Sequence, residues 1–229
     1  MIFNKRWRRI IIFISIFKLS SLDLFAGSAK NDPRSWTGNI TPFIGFIILN
    51  QNDWGDTATS GETGITVDIK KKSWPIGVMT ELIYSEGRRF FYSTTEGYHS
   101  KPGYGDREIP IGSHGEMNLI IREAAFGFRK AWERYPVFRP FVGGGLSYSD
   151  LEGRFSYTGN TFLNKESGQS VNRGDGIGQW IDVGTYFRFY FHLNIGLEYR
   201  FSYGEIKMSS GDRVMGGGSR LRFMAGYHW

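Results

Sequence analysis

Histidine is the residue type best suited here to transfer protons or to bind a metal. The spacing of the histidines along the sequence matches no recognisable site. The four histidines are His99, His114, His192 and His228. The first two fall in one predicted loop without zinc-site spacing, and the other two fall near strand ends. The glycine triplets 143–145 and 216–218 lie in or beside predicted strands rather than before helices, unlike a phosphate-binding loop. We therefore expect no metal, no cofactor and no catalytic residue.

Charged residues are common, with 28 Lys and Arg against 22 Asp and Glu. Much of the positive excess lies in residues 1–29, and acids and bases are mixed in the remainder. Beyond that segment the basic run is Lys70–Lys72, which is too short to follow a phosphate backbone. We therefore expect no nucleic-acid partner. The sequence has no cysteine, which excludes disulfides, thiolate metal sites and a lipidated cysteine.

The N-terminus has the order of a secretory signal peptide. A basic stretch, 1–9, precedes an apolar stretch, 10–17, and small residues follow. The apolar stretch is shorter than the roughly 20 residues that cross a bilayer as a helix. Lys18 and Asp23 argue against the alternative, an uncleaved anchor. We predict removal of residues 1–29, with Ala26 and Ser28 as alternative cleavage sites, and one domain over 30–229.

The remaining chain contains eight segments in which apolar and polar residues alternate with a period of two, as they do in strands with two different faces. The predicted strands are 36–49, 62–70, 76–85, 116–130, 139–149, 179–189, 193–203 and a last strand that ends at Trp229. The phase of the fourth segment changes near Ile121, which predicts a β-bulge there. No helical periodicity of comparable length competes with these strands.

Connection lengths and tryptophan positions distinguish a membrane barrel from a soluble, lipocalin-like barrel. Predicted links after strands two, four and six are short, and those after one, three, five and seven are mostly longer, as in outer-membrane barrels. In an even-stranded barrel one rim receives all four of Trp36, Trp74, Trp132 and Trp229. The sequence therefore predicts a periplasmic aromatic girdle. Tyr84, Tyr148 and Tyr203 would form its counterpart at the other rim.

The last residues alternate as Phe223, Ala225, Tyr227 and Trp229, and this ending resembles the signal read by the outer-membrane assembly machinery. Together with the strand pattern, it makes 36–229 similar to the small bacterial barrels typified by the OmpA membrane domain, OmpX and OmpW. No diagnostic motif selects one of these families. The resemblance implies an all-β, eight-stranded antiparallel up-and-down transmembrane β-barrel with short periplasmic turns and long extracellular loops. It also implies a monomer in the bacterial outer membrane, with lipid, lipopolysaccharide and the assembly machinery as partners.

If the apolar faces meet lipid, the charged faces line the lumen. The predicted lumen ionic network consists of Asp68, Glu81, Glu123, Arg129, Asp182, Arg188, Glu198, Arg200, Arg220 and Arg222. An eight-stranded barrel is just wide enough to be filled by such side chains. Two interpretations stay open: a packed ionic core that seals the barrel, and a narrow polar path for small solutes or a gate made of switching ion pairs.

The pattern favours a non-enzymatic role in envelope structure, adhesion or small-solute passage. The loop residues Arg88–Tyr92 could contact lipopolysaccharide or another cell. The alternative is a lipid-modifying enzyme of the lipid A deacylase or acyltransferase type, with its site on the outer rim. A deacylase needs His and Ser close together on a strand, and the nearest candidate, 198–202, lacks the histidine. A second alternative is a soluble ligand carrier.

Overall fold

A computed structural model of the chain describes residues 36–49, 59–92, 97–98, 108–109, 114–133, 137–160, 165–189 and 192–229. The predicted signal peptide, 1–29, and its cleavage site lie outside the described residues. The strands are β1 (Trp36–Leu49), β2 (Thr59–Lys71), β3 (Gly77–Tyr92), β4 (Gly97–Tyr98), β5 (Glu108–Ile109), β6 (His114–Ala131), β7 (Phe138–Asn160), β8 (Lys165–Arg188), β9 (Leu193–Met208), β10 (Arg213–Met215) and β11 (Gly218–His228). No helix in these ranges is long and apolar enough to cross a bilayer.

Eight of these strands close into an antiparallel barrel. The strand order is β1-β2-β3-β6-β7-β8-β9-β11, and β11 pairs with β1 to complete the ring. Paired residues followed once around the ring lead from Gly38 through β2 and the other strands back to Ile48, ten residues further along β1. Such a stagger in register accompanies the tilt of the strands that closure of a barrel requires. The predicted fold class is confirmed.

Alternation between lipid-facing and lumen-facing residues is most regular in β9, where exposed and buried residues follow each other along most of the strand. Outward residues are large and apolar all around the ring, and Ile44, Leu146 and Ile177 are each more than 60% exposed. A soluble monomer does not present so broad an apolar belt to water. The belt therefore faces hydrocarbon, where the closed sheet leaves no unpaired edge.

The strands extend further on the extracellular side than the alternation predicted. The described part of 150–178, predicted as a long loop, lies in β7 and β8, and the predicted loop 86–115 begins with the end of β3, which continues to Tyr92. The physical reason is a change of environment. Beyond the bilayer both faces of a strand can be polar, so a period of two in hydrophobicity no longer marks it.

The predicted bulge at Ile121 is wrong. β6 keeps one unbroken register with β3 and with β7 along its whole length. The phase of the hydrophobic pattern reverses because the two surroundings exchange polarity. Near the outer end of β6 the lumen-facing residues Leu119 and Ile121 are apolar and buried, while the outward-facing Asn118 and Arg122 are polar.

Side chains fill the lumen in layers. Charged residues occupy the middle, and an apolar cluster closes the extracellular end: Ile47, Leu49, Leu119, Ile121, Leu151, Ile206, Met208 and Val214. A void of about 10 Å³ beside Glu123 and Ser147 has room for one water molecule. The described interior is therefore a packed core.

Inward glycines make room for aromatic rings in this core. A Cβ on Gly127 would lie 2.6 Å from the Trp180 ring. A Cβ on Gly64 would likewise meet Phe43, and one on Gly184 would meet Phe141. Each ring therefore occupies space that a side chain on the glycine would fill.

Replacing Gly127 should destabilise the barrel. We expect Gly127→Val to lower the free energy of unfolding by about 1–3 kcal/mol, because its Cβ would meet the Gly144 carbonyl oxygen and the Trp180 ring, and strand or ring must shift. Urea unfolding in lipid vesicles, followed by the gel shift on boiling, measures the change. Gly61→Val is the matched control, since a Cβ there would come no closer than 4.0 Å to the Glu86 carbonyl oxygen. Equal stability of the two variants would contradict the packing role.

Candidate functional site

The candidate site is a cluster of charged side chains in the middle of the lumen. Its acids project from β2, β3 and β6 as Glu62, Glu81 and Glu123, and its bases project from β9 and β11 as Arg200, Arg220 and Arg222. All six point inward because they occupy the lumen phase of their strands. One arc of the wall is therefore acidic and another is basic, so the ion pairs connect strands that are not neighbours.

These six residues form a closed ring of alternating charge. Arg222 donates from Nε to Glu62 at 2.5 Å and from Nη1 to Glu81 at 2.8 Å. Arg200 bonds Glu81 and donates to Glu123 at 2.6 Å. Arg220 bonds Glu123 and lies 3.6 Å from Glu62, which completes the circuit. We call this set the ionic ring.

A branch leads from the ionic ring toward the periplasmic end. Arg222 also donates to Glu198 at 2.8 Å, and Glu198 accepts from Arg129 at 2.6 Å. Arg129 donates further to Asp182 at 2.5 Å and to the Tyr186 hydroxyl at 2.7 Å. The branch therefore ties β6, β8, β9 and β11 together.

Three of the arginines stack on the aromatic rings that cover the glycines. The guanidinium carbon of Arg129 lies 4.2 Å from the ring centroid of Phe141, that of Arg222 4.3 Å from Phe43, and that of Arg200 4.4 Å from Trp180. Glycine, aromatic ring and arginine thus form a three-layer stack at each position. Such contacts favour arginine over lysine, because the planar guanidinium binds in its plane and stacks on its face.

The burial of this cluster defines what it can do. Side chains of Glu62, Glu81, Arg200, Arg220 and Arg222 are 0% exposed. Charges withdrawn from water in this way are tolerated only when paired, and removing one partner is strongly destabilising. The cluster therefore holds opposite walls of the barrel in register and leaves little room for passage through its centre.

The structure brings together most of the residues predicted for the lumen network. Glu81, Glu123, Arg129, Asp182, Glu198, Arg200, Arg220 and Arg222 lie in the ionic ring or its branch. Asp68 lies at the border, 4.0 Å from Arg129, and accepts from Asn39 at 2.9 Å. Arg188 points into the lumen near the periplasmic end and makes no ion pair within the described residues.

Sequence reasoning missed Glu62, which belongs to the ionic ring. The signal was present, because Glu62 lies in phase with Thr66 and Asp68 on the polar face of β2. It also missed Tyr186, whose hydroxyl accepts a hydrogen bond from Arg129. An aromatic residue on a mixed face gives no sequence signal of a polar partner.

Trp36, Trp74, Trp132 and Trp229 all lie at one end of the barrel, the end with the short turns. Trp36 and Trp74 make an edge-to-face contact with ring centroids 5.6 Å apart, and Lys71 lies over both rings. Of the predicted assembly residues, Phe223, Ala225 and Tyr227 face outward in β11. Trp229 adds backbone bonds with Gly38 beside the closing pair of strands.

The remaining candidates for chemistry are the histidines, a metal-binding cluster and the segment considered for a deacylase. No group of three or more Asp, Glu or His in these ranges could hold a metal ion. His228 contacts Asn39 at 3.1 Å, and His192 lies in a turn with a positive φ of 66°. In the segment considered for a deacylase, Glu198 and Arg200 belong to the ionic cluster, and Ser202 donates to the Gly218 carbonyl at 3.3 Å.

Comparison with known proteins finds similar folds but no similar sequence family. No family model matches the chain, and no curated protein sequence does. A major outer membrane protein of Thermus thermophilus superposes with a TM-score of 0.50 at 10% identity, over 85% of this chain and 99% of that one. Ail of Yersinia pestis, solved with the heparin analogue sucrose octasulfate, gives 0.45 at 11% identity over 85% and 99%. Neisserial surface protein A gives 0.43 at 9% identity over 84% and 95%.

At 10% identity the superposition on the Thermus thermophilus protein supports the architecture alone. The chain has the fold of a small bacterial outer-membrane β-barrel, as the resemblance implied. Neither activity nor ligand follows from similarity at this level.

Removing Arg222 should destabilise the barrel far more than removing an exposed arginine. Arg222→Met leaves Glu62, Glu81 and Glu198 without a shared partner, and we expect a loss of about 3–5 kcal/mol in unfolding free energy. Arg213→Met is the control, because Arg213 is 74% exposed and pairs with Glu205 at 3.3 Å. We expect about 1 kcal/mol or less for that change. Urea unfolding in vesicles measures both, and similar losses would contradict the role of the ionic ring.

Proposed function

We propose that this chain is an integral, non-enzymatic barrel of the bacterial outer membrane whose lumen is closed and whose work is done at its extracellular surface. The observation that carries this proposal is the filled lumen, together with a sheet that extends past the barrel. Residues 1–29 are proposed to be the cleaved export signal, and the mature barrel is proposed to be a monomer.

Two layers support closure of the lumen. The ionic ring crosses the middle with side chains that water does not reach, and the apolar cluster lies between it and the extracellular side. A hydrated ion moving through would have to break several buried pairs and then cross an apolar layer, and both steps are costly. Of the non-enzymatic roles predicted from sequence, structural support and adhesion therefore fit better than solute passage.

The extracellular extension supports a role in contact with other molecules. β9 pairs with β8 only as far as Gly174, and above that level β3, β6, β7 and β8 continue as a sheet. Register between β7 and β8 holds up to Asn160 and Lys165. A rigid sheet held above the membrane loses little entropy when it binds a partner. We propose adhesion through this extension.

Charged residues on the outer face of the extension support lipopolysaccharide as a partner. Arg154 and Arg173 have side chains 55% and 65% exposed, and both bond Glu152, at 2.5 Å and 3.1 Å. They lie just beyond the level of Tyr148, which the sequence predicts to lie in the aromatic girdle at the headgroups. Two exposed guanidinium groups fixed by one carboxylate suit phosphate groups of the outer leaflet.

Phe223, Ala225, Tyr227 and Trp229 are proposed to be read by the assembly machinery.

Fractionation of the native cell tests the location. We expect the protein in the outer-membrane fraction, with a gel mobility that shifts on boiling because a closed barrel resists detergent. In planar bilayers we expect no steady conductance, and in liposomes no swelling in small sugars. Soluble protein without a mobility shift would contradict the barrel. Steady conductance would contradict the closed lumen, and product release from lipid A or phospholipid would contradict the non-enzymatic role.

A shortened hairpin tests the adhesive role. Replacing 154–171 by a short turn removes the tip of the β7–β8 hairpin and leaves the barrel strands complete. We expect the same shift on boiling and a several-fold loss of attachment of expressing cells to host or neighbouring cells. Unchanged attachment would exclude the extension as the adhesive surface.

Acid should loosen this hairpin. Burial alone would raise the pKa of Glu152, but hydrogen bonds from Arg154 and Arg173 and their charges hold the pKa below its usual range. Ionised Glu152 therefore stabilises the hairpin above its unfolded-state pKa of about 4.3, and this contribution is lost as pH falls through the lower folded value.

Amide hydrogen exchange measures the effect after correction for intrinsic rates. We expect protection in β7 and β8 near Glu152 to fall between about pH 5 and pH 3, and Glu152→Gln to remove this pH dependence. Glu205→Gln, in the exposed pair with Arg213, is the control that should leave it in place. A pH dependence that persists in Glu152→Gln would assign the effect to another group.

A further inference from the structure

The periplasmic mouth of the lumen carries a group of cations that the ionic ring does not use. Lys70, Arg139 and Arg188 all lie in the lumen phase of their strands, close to the turns of that end. Glu133, in the turn between β6 and β7, bonds Lys70 at 2.7 Å and lies 3.7 Å from Arg139. Three positive charges therefore lie at this mouth, and its one carboxylate, Glu133, pairs with two of them.

Arg188 stands out within this group because its hydrogen bonds are incomplete. Its Nε and Nη2 atoms are shielded from solvent and have no hydrogen-bond partner in the described part of the chain. The Nε of Arg139 is in the same state. Shielded donors without an acceptor are costly, and a charged donor more so. Both side chains therefore hold donors that lack an acceptor at the periplasmic end of the lumen.

The carboxylates deeper in the barrel are already engaged. Asp182 and Glu198 accept from Arg129, and Asp68 accepts from Asn39 and lies 4.0 Å from Arg129. Arg129 faces all three acids and Arg222 also contacts Glu198, so three carboxylates face two arginines and the layer behind the mouth has an excess of negative charge. An anion that enters from the periplasmic side would be attracted by the mouth and repelled by the next layer. The field therefore retains an anion at the mouth.

We propose that Arg139 and Arg188 form a binding site for an oxyanion, a phosphate or a phosphate monoester or diester group, at the periplasmic mouth of the barrel. Guanidinium groups present paired N–H donors that match two oxygens of such a group, which explains two arginines at this position better than two lysines would. Lys70 and Glu133 form the opposite side of the site. Binding here requires no passage through the ionic ring.

The test uses the full mature barrel in dodecyl maltoside, titrated with inorganic phosphate at constant ionic strength. Arginine Nε–H resonances in ¹H–¹⁵N spectra report occupancy, and we expect saturable shifts of a small set of them. Arg188→Gln should weaken phosphate binding at least tenfold. Arg213→Gln, on the extracellular side and 74% exposed, is the control that should bind phosphate like the unchanged protein.

The gel shift on boiling establishes that each variant is folded, and Arg139→Gln replaces Arg188→Gln if the latter is not. Loss of saturable binding in a folded variant supports the site. No saturable shift in the unchanged protein, or equal affinity in the folded variant, overturns it.

Nanodiscs separate two sources of the same chemistry. Phosphate binding that is abolished by phosphatidylglycerol but not by phosphatidylcholine would identify a lipid headgroup as the occupant. Phosphate binding that is equal in both lipids would identify a soluble phosphate compound. Since the titration does not depend on cell compartment or adhesion, its failure would leave the proposed function untouched.

Discussion

Closure of the sheet shapes every other feature of this barrel. In hydrocarbon a backbone N–H or C=O without a partner costs several kcal/mol, so a spanning sheet must have no edge. The pair between β1 and β11 removes the last edge, and the ten-residue stagger around the ring follows from it. Closure with eight strands then limits the interior to the width of packed side chains. Everything inside must fit that width.

The interior meets this limit by combining small and large residues around paired charges. Glycines in the wall admit aromatic rings, the rings support arginines, and the arginines reach carboxylates on strands across the lumen. Each component depends on the others, because an arginine without its carboxylates is a buried charge and a ring without its glycine has no space. The ionic ring thus couples strands that the backbone ladder leaves unconnected. Because the lumen is filled, water and partners have access to the two ends of the barrel, and we place its function there.

The two ends differ in how they are built. At the extracellular end an apolar cluster closes the lumen, and a sheet of β3, β6, β7 and β8 extends beyond it. At the periplasmic end the turns are short and the mouth is lined by cations, and two shielded donors of Arg188 have no acceptor among the described residues. The second end therefore presents a small cationic mouth, whereas the first presents an extended surface.

The barrel strands and the facing of their side chains could be predicted from the amino-acid pattern, because a period of two is imposed wherever one face meets lipid and the other a polar lumen. That was enough to predict β1 to the residue and to place Glu81, Arg200 and Arg222 inside. The pattern could not give the length of the strands beyond the bilayer, because there the two faces of a strand no longer differ in polarity. The reversal of the hydrophobic phase at Ile121 predicts a bulge, but it reflects a change in the surroundings of the two faces. Which charges meet was left to the folded structure, since Glu62, Glu123 and Arg220 come together through the curvature and stagger of the closed ring, and Arg188 is left apart by the same geometry.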